Sequence, residues 1–331
     1  MKLVISIDVE EEGLFFGLYP RTPPGVTNVA ELARLEFIPR DFGLPLTLLV
    51  TYRVARDPAA CRVLAQWRDR YGAEIGVHLH PWNTPPFADL PHPEPVASEN
   101  LPRPLLRDKF ANLLSQVRAG LAVTPRSFRM GRFDAGPKVF GLLPEFGLEV
   151  DSSVAPLTRK NPDHRWFLAP ADPFSLGEVA PEGKPLLEVP ITMAPVVAGT
   201  PELMARLAAV APPAWGRRLQ SLFRYGTVVG IQPAWYPLVS MQLAARLHRR
   251  RGGRVLTMFF HSSELQPGAS RLFPTEAAVS RFVVKIRTFL TWLVQTGPIS
   301  GVTLAELGED WREGIRPDAD QAAGFETTGP A

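Results

Sequence analysis

Cysteine is almost absent: Cys61 stands alone in 331 residues. One thiol can form neither an internal disulfide nor a thiolate cluster for zinc. It falls in the helical-looking stretch Asp57–Tyr71, where a buried, inert thiol is the simple reading. Long apolar runs are missing too; none approaches the roughly 20 residues that span a bilayer. The amino terminus, Met-Lys-Leu-Val-Ile-Ser-Ile-Asp, reaches an acidic cluster before it builds the apolar core of a secretory signal. Cytoplasmic residence is the resulting expectation. Strong charge of either sign is also lacking. A net charge of +3, with basic runs only at Arg217–Arg218 and Arg249–Arg251, has no accompanying aromatic-plus-basic motif, which argues against nucleic acid as partner. Those runs suit the carboxyl ends of helices.

The remainder is ordinary for a globular chain, with 45% hydrophobic and 21% charged residues, and it is long enough to bury a large core unaided. Apolar, β-branched segments alternate with helical ones. Strands are expected at Leu3–Ile7, Leu44–Thr51, Ala73–Val77, Arg126–Phe128, Leu148–Asp151, Leu186–Ile191 and Val255–Phe260. Between them the pattern predicts helices at Val29–Phe37, Asp57–Tyr71, Leu105–Leu121, Pro137–Phe146, Pro201–Leu222, Leu238–Arg250 and Thr275–Gln295. Asp57 is the natural N-cap of its helix, with Pro58 in the first position. The proline-rich stretch Pro81–Pro104 reads as a long functional loop, and Pro156–Lys184 as irregular. Strand–helix alternation without a repeat or linker indicates one α/β domain with a parallel sheet, over residues 1–307, followed by a polar flexible tail at 308–331. In such folds the chemistry gathers where strands end.

Ionisable residues mark those ends. Asp8 and Glu10 stand two apart after the first strand, and His78 and His80 two apart after the third. Residues i and i+2 of an extended chain share a face, so each pair can project into one space. Two imidazoles and a carboxylate form a common catalytic zinc set, although either pair alone is often incidental. His261 ends the strand Val255–Phe260, where a proton donor fits better than a core histidine because Ser262, Ser263 and Glu264 follow as a polar mouth. Arg129, after another strand, can align a carboxylate through a bidentate contact; a surface ion pair is its plainer role. Asp151 either orients Arg129 or His261 or caps the next turn. Trp82, Phe87 and Phe133 lie in loops near the expected mouth, where they stack on a substrate or simply pack their loops.

At these positions the chain resembles the polysaccharide deacetylase family, also known as the NodB-homology domain or carbohydrate esterase family four. The segments that carry the resemblance are Ser6-Ile-Asp-Val-Glu-Glu-Glu, Glu74-Ile-Gly-Val-His-Leu-His-Pro-Trp, Ser127-Phe-Arg-Met-Gly-Arg, Val150-Asp-Ser-Ser, Glu188-Val-Pro and Phe260-His-Ser-Ser-Glu-Leu. They occur in the family's order across residues 1–307. The resemblance implies a distorted parallel (β/α)7 barrel and a divalent metal, zinc foremost. It implies Asp8 as catalytic base, Arg129 as the residue that steadies it and His261 as general acid. Two departures set the chain in a variant branch. Val9 replaces the family's second, metal-binding aspartate, so Glu10 takes that role. Trp82 stands where the second histidine usually lies, so His80 joins His78 as ligand. Trp82, Arg132 and Asp151 complete the expected substrate-binding set. The implied reaction is removal of an N-acetyl group from a sugar or a lipid-linked saccharide precursor by water activated at the metal. An inactive carbohydrate-binding or regulatory protein is the alternative. An amidohydrolase-type barrel ranks last, because its His-x-His pair follows the first strand and needs a lysine that no strand end here supplies.

Overall fold

The computed structural model describes residues 1–22, 25–158, 164–177, 186–212, 215–216, 218, 223 and 226–314, the side chains of 164 and 165 excepted. Its strands are β1 Lys2–Val9, β2 Thr47–Val50, β3 Glu74–Leu79, β4 Ser127–Met130, β5 Val150–Asp151, β6 Phe174–Ser175, β7 Leu187–Glu188, β8 Met193–Pro195, β9 Val228–Gly230, β10 Val255–His261 and β11 Ser300–Gly301. The main sheet runs β10-β1-β2-β3-β4-β5-β7-β6, with β11 beside the start of β1. Every pairing from β10 to β7 is parallel, and only the edge strand β6 is antiparallel. The sheet curls into a half-barrel. Thr192 and Thr257 bridge its open side: Thr192 N donates to the Thr257 carbonyl at 3.1 Å, and Thr257 N to Thr192 Oγ1 at 2.8 Å. Strands β8 and β9 form a separate antiparallel pair.

The strands form where β-branched and aliphatic residues run without alternation. In β1, Leu3, Val4, Ile5, Ile7 and Val9 are all buried, as a strand covered on both faces requires. Helices between strands supply the cover. Helix Pro58–Tyr71 starts where the Asp57 carboxylate accepts from Ala59 N and Ala60 N at 2.9 and 2.8 Å and stops at Gly72, whose φ of 63° a side chain would resist. The cap and the proline at its first turn are as the sequence indicates. Cys61 is buried in this helix, its Sγ 3.3 Å from the Ala55 carbonyl.

Several boundaries differ. Asp8, His78 and Arg129 lie inside β1, β3 and β4 rather than after them. Residues 27–35 form a 3-10 helix instead of an α-helix, which begins only at Phe37. The closing helix Leu304–Arg312 runs past residue 307, with Leu307 and Gly308 buried. Of the expected tail, 315–331 lies outside the described residues, as do parts of Pro156–Lys184 and of Pro201–Leu222. Among the described residues no helix is long and apolar enough to cross a membrane.

Candidate metal centre

The register of the sheet sets the site. Asp8 on β1 stands beside His261 on β10, and His78 on β3 beside Arg129 on β4. Ser6, Asp8 and Glu10 alternate along β1 and turn to one side. There Glu10 Oε2 comes within 3.6 Å of His78 Nε2 and 3.4 Å of His80 Nε2. Glu10, His78 and His80, all buried, are a group that could hold a metal ion, their ligand atoms mutually within 4.8 Å.

The donor chemistry fits such an ion. Four ligands at 2.0–2.1 Å around tetrahedral zinc stand about 3.3–3.4 Å apart, close to the two separations from Glu10. Both imidazoles are also set in the right tautomer. His78 Nδ1 lies 2.9 Å from the Arg129 carbonyl; a carbonyl only accepts, so Nδ1 carries the hydrogen and Nε2 keeps its lone pair. His80 Nδ1 lies 2.6 Å from Glu11 Oε1, again leaving Nε2 as the free donor. A carboxylate behind a histidine in this way orients the ring and raises its basicity toward a metal. Glu11 Oε1 also accepts from Asn83 Nδ2. Burial pushes the Glu11 carboxyl up, but His80 and these hydrogen bonds outweigh it and hold the group below its ordinary range. Burial likewise disfavours a charged His80, and the surrounding carboxylates Glu11, Glu10 and Asp8 more than offset that.

Beside the triad, the Arg129 guanidinium is fully buried and donates four hydrogen bonds. They run from Nε to the Ser152 carbonyl at 2.8 Å, from one terminal nitrogen to Asp8 Oδ1 at 2.6 Å, and from the other to Ser6 Oγ and Ser152 Oγ at 2.8 Å each. The rings of Phe259 and Phe133 lie 5.1 and 5.8 Å from its central carbon. Only one bond reaches Asp8, so the expected bidentate clasp is single: the second fork is taken by the two serines. Desolvation acts to raise the Asp8 pKa, yet Arg129, His78 and His261 together keep it below the ordinary value. Asp8 Oδ2 is left facing His78 Nε2 at 3.8 Å and His261 Nε2 at 3.9 Å.

His261 is steered by Glu264. Glu264 Oε2 accepts from the His261 backbone N–H at 3.0 Å, and Oε1 lies 3.2 Å from Nδ1. Burial lowers the ring's pKa, but Glu10, Glu264 and Asp8 prevail and carry it up to about 9. Phe15, from the loop after β1, meets His261 edge-on at 4.9 Å. The site is close-packed: Asp8, Glu10, His78 and His80 are each at most 3% exposed, and only the His261 side chain, at 14%, opens noticeably.

Of the residues expected to bind substrate, Trp82 and Asp151 are buried and Arg132 is exposed. Trp82 is buried and stacks on His80, centroids 4.2 Å apart, with Tyr19 edge-on at 5.1 Å. It backs the ring of His80, one of the three groups that could hold an ion. The cause is the turn in which Asn83 N and Thr84 N both donate to the His80 carbonyl, folding Trp82 back. Asp151 is fully buried, and its carboxylate accepts from Ser153 N at 3.0 Å and Ser153 Oγ at 2.6 Å. These bonds cap the turn, while the Asp151 charge also acts on Glu188 and Arg129. Its cross-strand neighbour Glu188 is driven well above the ordinary range by burial and by the Asp151 charge. Arg132 is exposed on the rim, over the Tyr19 ring at 5.4 Å. Phe133 is buried against Phe259 and Trp235, and Phe87 is exposed beneath Arg21 and Lys109.

The residues that sequence reasoning left without a role are Glu11, Asn83, Ser6 and Ser152, and Glu264 was placed only in the polar mouth. Three consecutive acids, Glu10 to Glu12, after a mostly apolar strand were the available signal for Glu11.

No family model and no curated protein sequence matches this chain. Solved structures do. A Mycobacterium smegmatis protein described as a polysaccharide deacetylase matches with a TM-score of 0.57 at 15% identity, over 95% of this chain and 91% of that one. An allantoinase, Puue, matches with a TM-score of 0.52 at 13% identity, over 96% and 92%. At such identities the likeness establishes the fold, the NodB-like half-barrel, across nearly the whole chain.

Proposed function

We propose that this chain is a member of the polysaccharide deacetylase family that removes the acetyl group from an N-acetylated saccharide, with Glu10, His78 and His80 holding a divalent ion, zinc first. The observation that carries the reading is the pair of tautomer-setting contacts, His78 Nδ1 to the Arg129 carbonyl and His80 Nδ1 to Glu11, which aim both Nε2 lone pairs at the Glu10 carboxylate. A bound ion would supply Lewis acidity, polarising the acetamide carbonyl and making a water easier to deprotonate.

The chain's own groups perform the proton transfers. Arg129 keeps Asp8 ionised at neutral pH and fixes Oδ1, so Oδ2 is the atom free to take a proton from the attacking water. The same stabilisation makes Asp8 a weak base, which suits it to a water already acidified. His261 enters protonated, because the Glu264 and Asp8 carboxylates beside it favour the charged ring. Glu264 holds Nδ1, so Nε2 faces the reacting centre and delivers the proton that the departing amine needs. The 3.9 Å between Asp8 Oδ2 and His261 Nε2 leaves base and acid flanking one small volume.

The test is acetate release from N-acetylated saccharides by protein supplied with zinc. Wild-type protein should release acetate and His78→Ala should not. Undiminished release by folded His78→Ala would refute the assignment.

A further inference from the structure

Helix Thr200–Val210 lies on the outside of the molecule with an apolar side turned to water. Pro201 is its only buried residue. Met204 and Ala205 pack on the cluster that holds Phe133 and Phe259, the two rings nearest Arg129. On the opposite face Leu203, Leu207 and Val210 recur at i, i+4 and i+7, one stripe of a helix, and they are 57, 46 and 83% exposed. The stripe is extended at both ends. Val196 and Val197, also exposed, are tied to the first turn where Thr200 Oγ1 donates to the Val197 carbonyl at 2.6 Å. Past the helix, Trp215 N and Gly216 N both donate to the Pro212 carbonyl, at 2.8 and 3.0 Å. This turn closes back on the helix, since a methyl group at Gly216 would stand 2.6 Å from the Ala208 carbonyl. Trp215 beside it is 60% exposed.

The margin of this surface is cationic. From position 196 to 218 the sequence holds three arginines against one acid, Glu202. Exposed Arg206 stands three residues after Leu203 and four before Val210, so it edges the stripe. The Arg218 guanidinium lies over the Trp215 ring at 5.6 Å. Arg251 donates to the Pro195 and Val196 carbonyls at 2.7 and 3.3 Å, which sets a third cation at the amino end of the stretch. An exposed apolar stripe of this extent marks a surface that something covers. A projecting aliphatic ridge with a cationic border fits a fluid apolar layer beneath anionic headgroups. Tryptophan and arginine suit that boundary, each joining an apolar body to a polar end.

We infer that helix Thr200–Val210 and the turn that carries Trp215 dock on an anionic phospholipid bilayer. The helix lies flat, with Leu203, Leu207 and Val210 at the acyl boundary and Arg206, Arg218 and Arg251 among the headgroup phosphates. The contact between Met204, Ala205 and the Phe133–Phe259 cluster joins this surface to the packing around Arg129.

Co-sedimentation of the full chain with vesicles is the test, using phosphatidylglycerol mixed with phosphatidylcholine against phosphatidylcholine alone. Wild-type protein should prefer the anionic vesicles and lose that preference at high salt. Each arginine at such a surface strengthens binding roughly fivefold, so the double variant Arg206→Gln, Arg218→Gln should bind them about 25-fold more weakly. The double variant Leu203→Gln, Leu207→Gln should lose at least about tenfold. Circular dichroism checks that each variant is folded, and the arginine pair keeps the test decisive if the leucine pair is not. No sedimentation of wild-type protein overturns the inference, as does undiminished binding by either folded variant. A dimer in sedimentation velocity runs that the leucine variant abolishes, with no vesicle binding, also overturns it and gives the stripe to a second copy. Vesicle binding needs no turnover, so its outcome is read apart from the acetate assay.

Discussion

Replacing Glu11 by alanine removes a carboxylate that touches no proposed ligand atom, yet it should loosen the metal. Glu11 Oε1 fixes His80 through a 2.6 Å contact to Nδ1 and is itself fixed by Asn83. His80 lies just beyond β3, where no strand ladder holds its backbone, so the carboxylate and the stacked Trp82 are what set the ring. Trp82 limits tilt; only Glu11 dictates which nitrogen carries the hydrogen. Losing such a partner typically costs 10–100-fold in metal affinity, or roughly 1.4–2.7 kcal/mol. The loss should fall toward the upper part of that range, because the pair is wholly buried and water cannot take the carboxylate's place. The assay is competition for zinc against a chromophoric chelator, with circular dichroism confirming the fold. Glu11→Gln, whose amide oxygen can still accept from Nδ1, should recover part of the affinity. A folded Glu11→Ala protein that binds zinc as tightly as wild type would show that His80 needs no such anchor and would refute this reasoning.

Further outcomes follow from the same geometry. A methyl group at Gly131 would meet the His80 ring at 2.6 Å and the Leu79 carbonyl at 2.8 Å, so Gly131→Ala should weaken zinc binding in the chelator assay more than it lowers the melting temperature. Arg129→Met strands the buried Asp8 carboxylate and should destabilise the protein by about 3–5 kcal/mol in urea titrations; a loss below 1 kcal/mol would mean the pair is not the anchor it looks. His261, titrated by NMR in metal-free protein, should lose its proton near pH 9 instead of 6.5. Because the folded value is raised, its stabilising proton is fully in place below pH 6.5 and is lost as pH climbs through about 9. Zinc at Glu10 cancels the largest of the charges that raise it, so loading should move that titration downward; a ring that titrates near 6.5 with and without zinc contradicts the assignment.

How much of this was legible beforehand depended on local geometry. The apolar runs of β1, β3 and β10 fixed which strands would be buried on both faces, and the i, i+2 rule then put Glu10 with Asp8 and His80 with His78. Glu11 escaped because that rule assigns it to the opposite face. β1 ends at Val9, so alternation no longer governs position 11 and both glutamates turn inward. The stacking of Trp82 on His80 was not legible for a related reason: the His80–Thr84 turn reverses the chain, a hydrogen-bonding choice that hydrophobic pattern does not encode. The 3-10 form of residues 27–35 and the single Arg129–Asp8 bond likewise reflect tertiary partners, the serines Ser6 and Ser152 among them, that are distant in sequence.

The central claim is that three side chains from two strand ends grip one ion. A crystal structure of the zinc-soaked protein, with anomalous data at the zinc edge, addresses it directly. One peak per chain is expected, about 2.0–2.2 Å from Glu10 Oε2, His78 Nε2 and His80 Nε2. Absence of the peak, or a peak bound elsewhere, would contradict the claim.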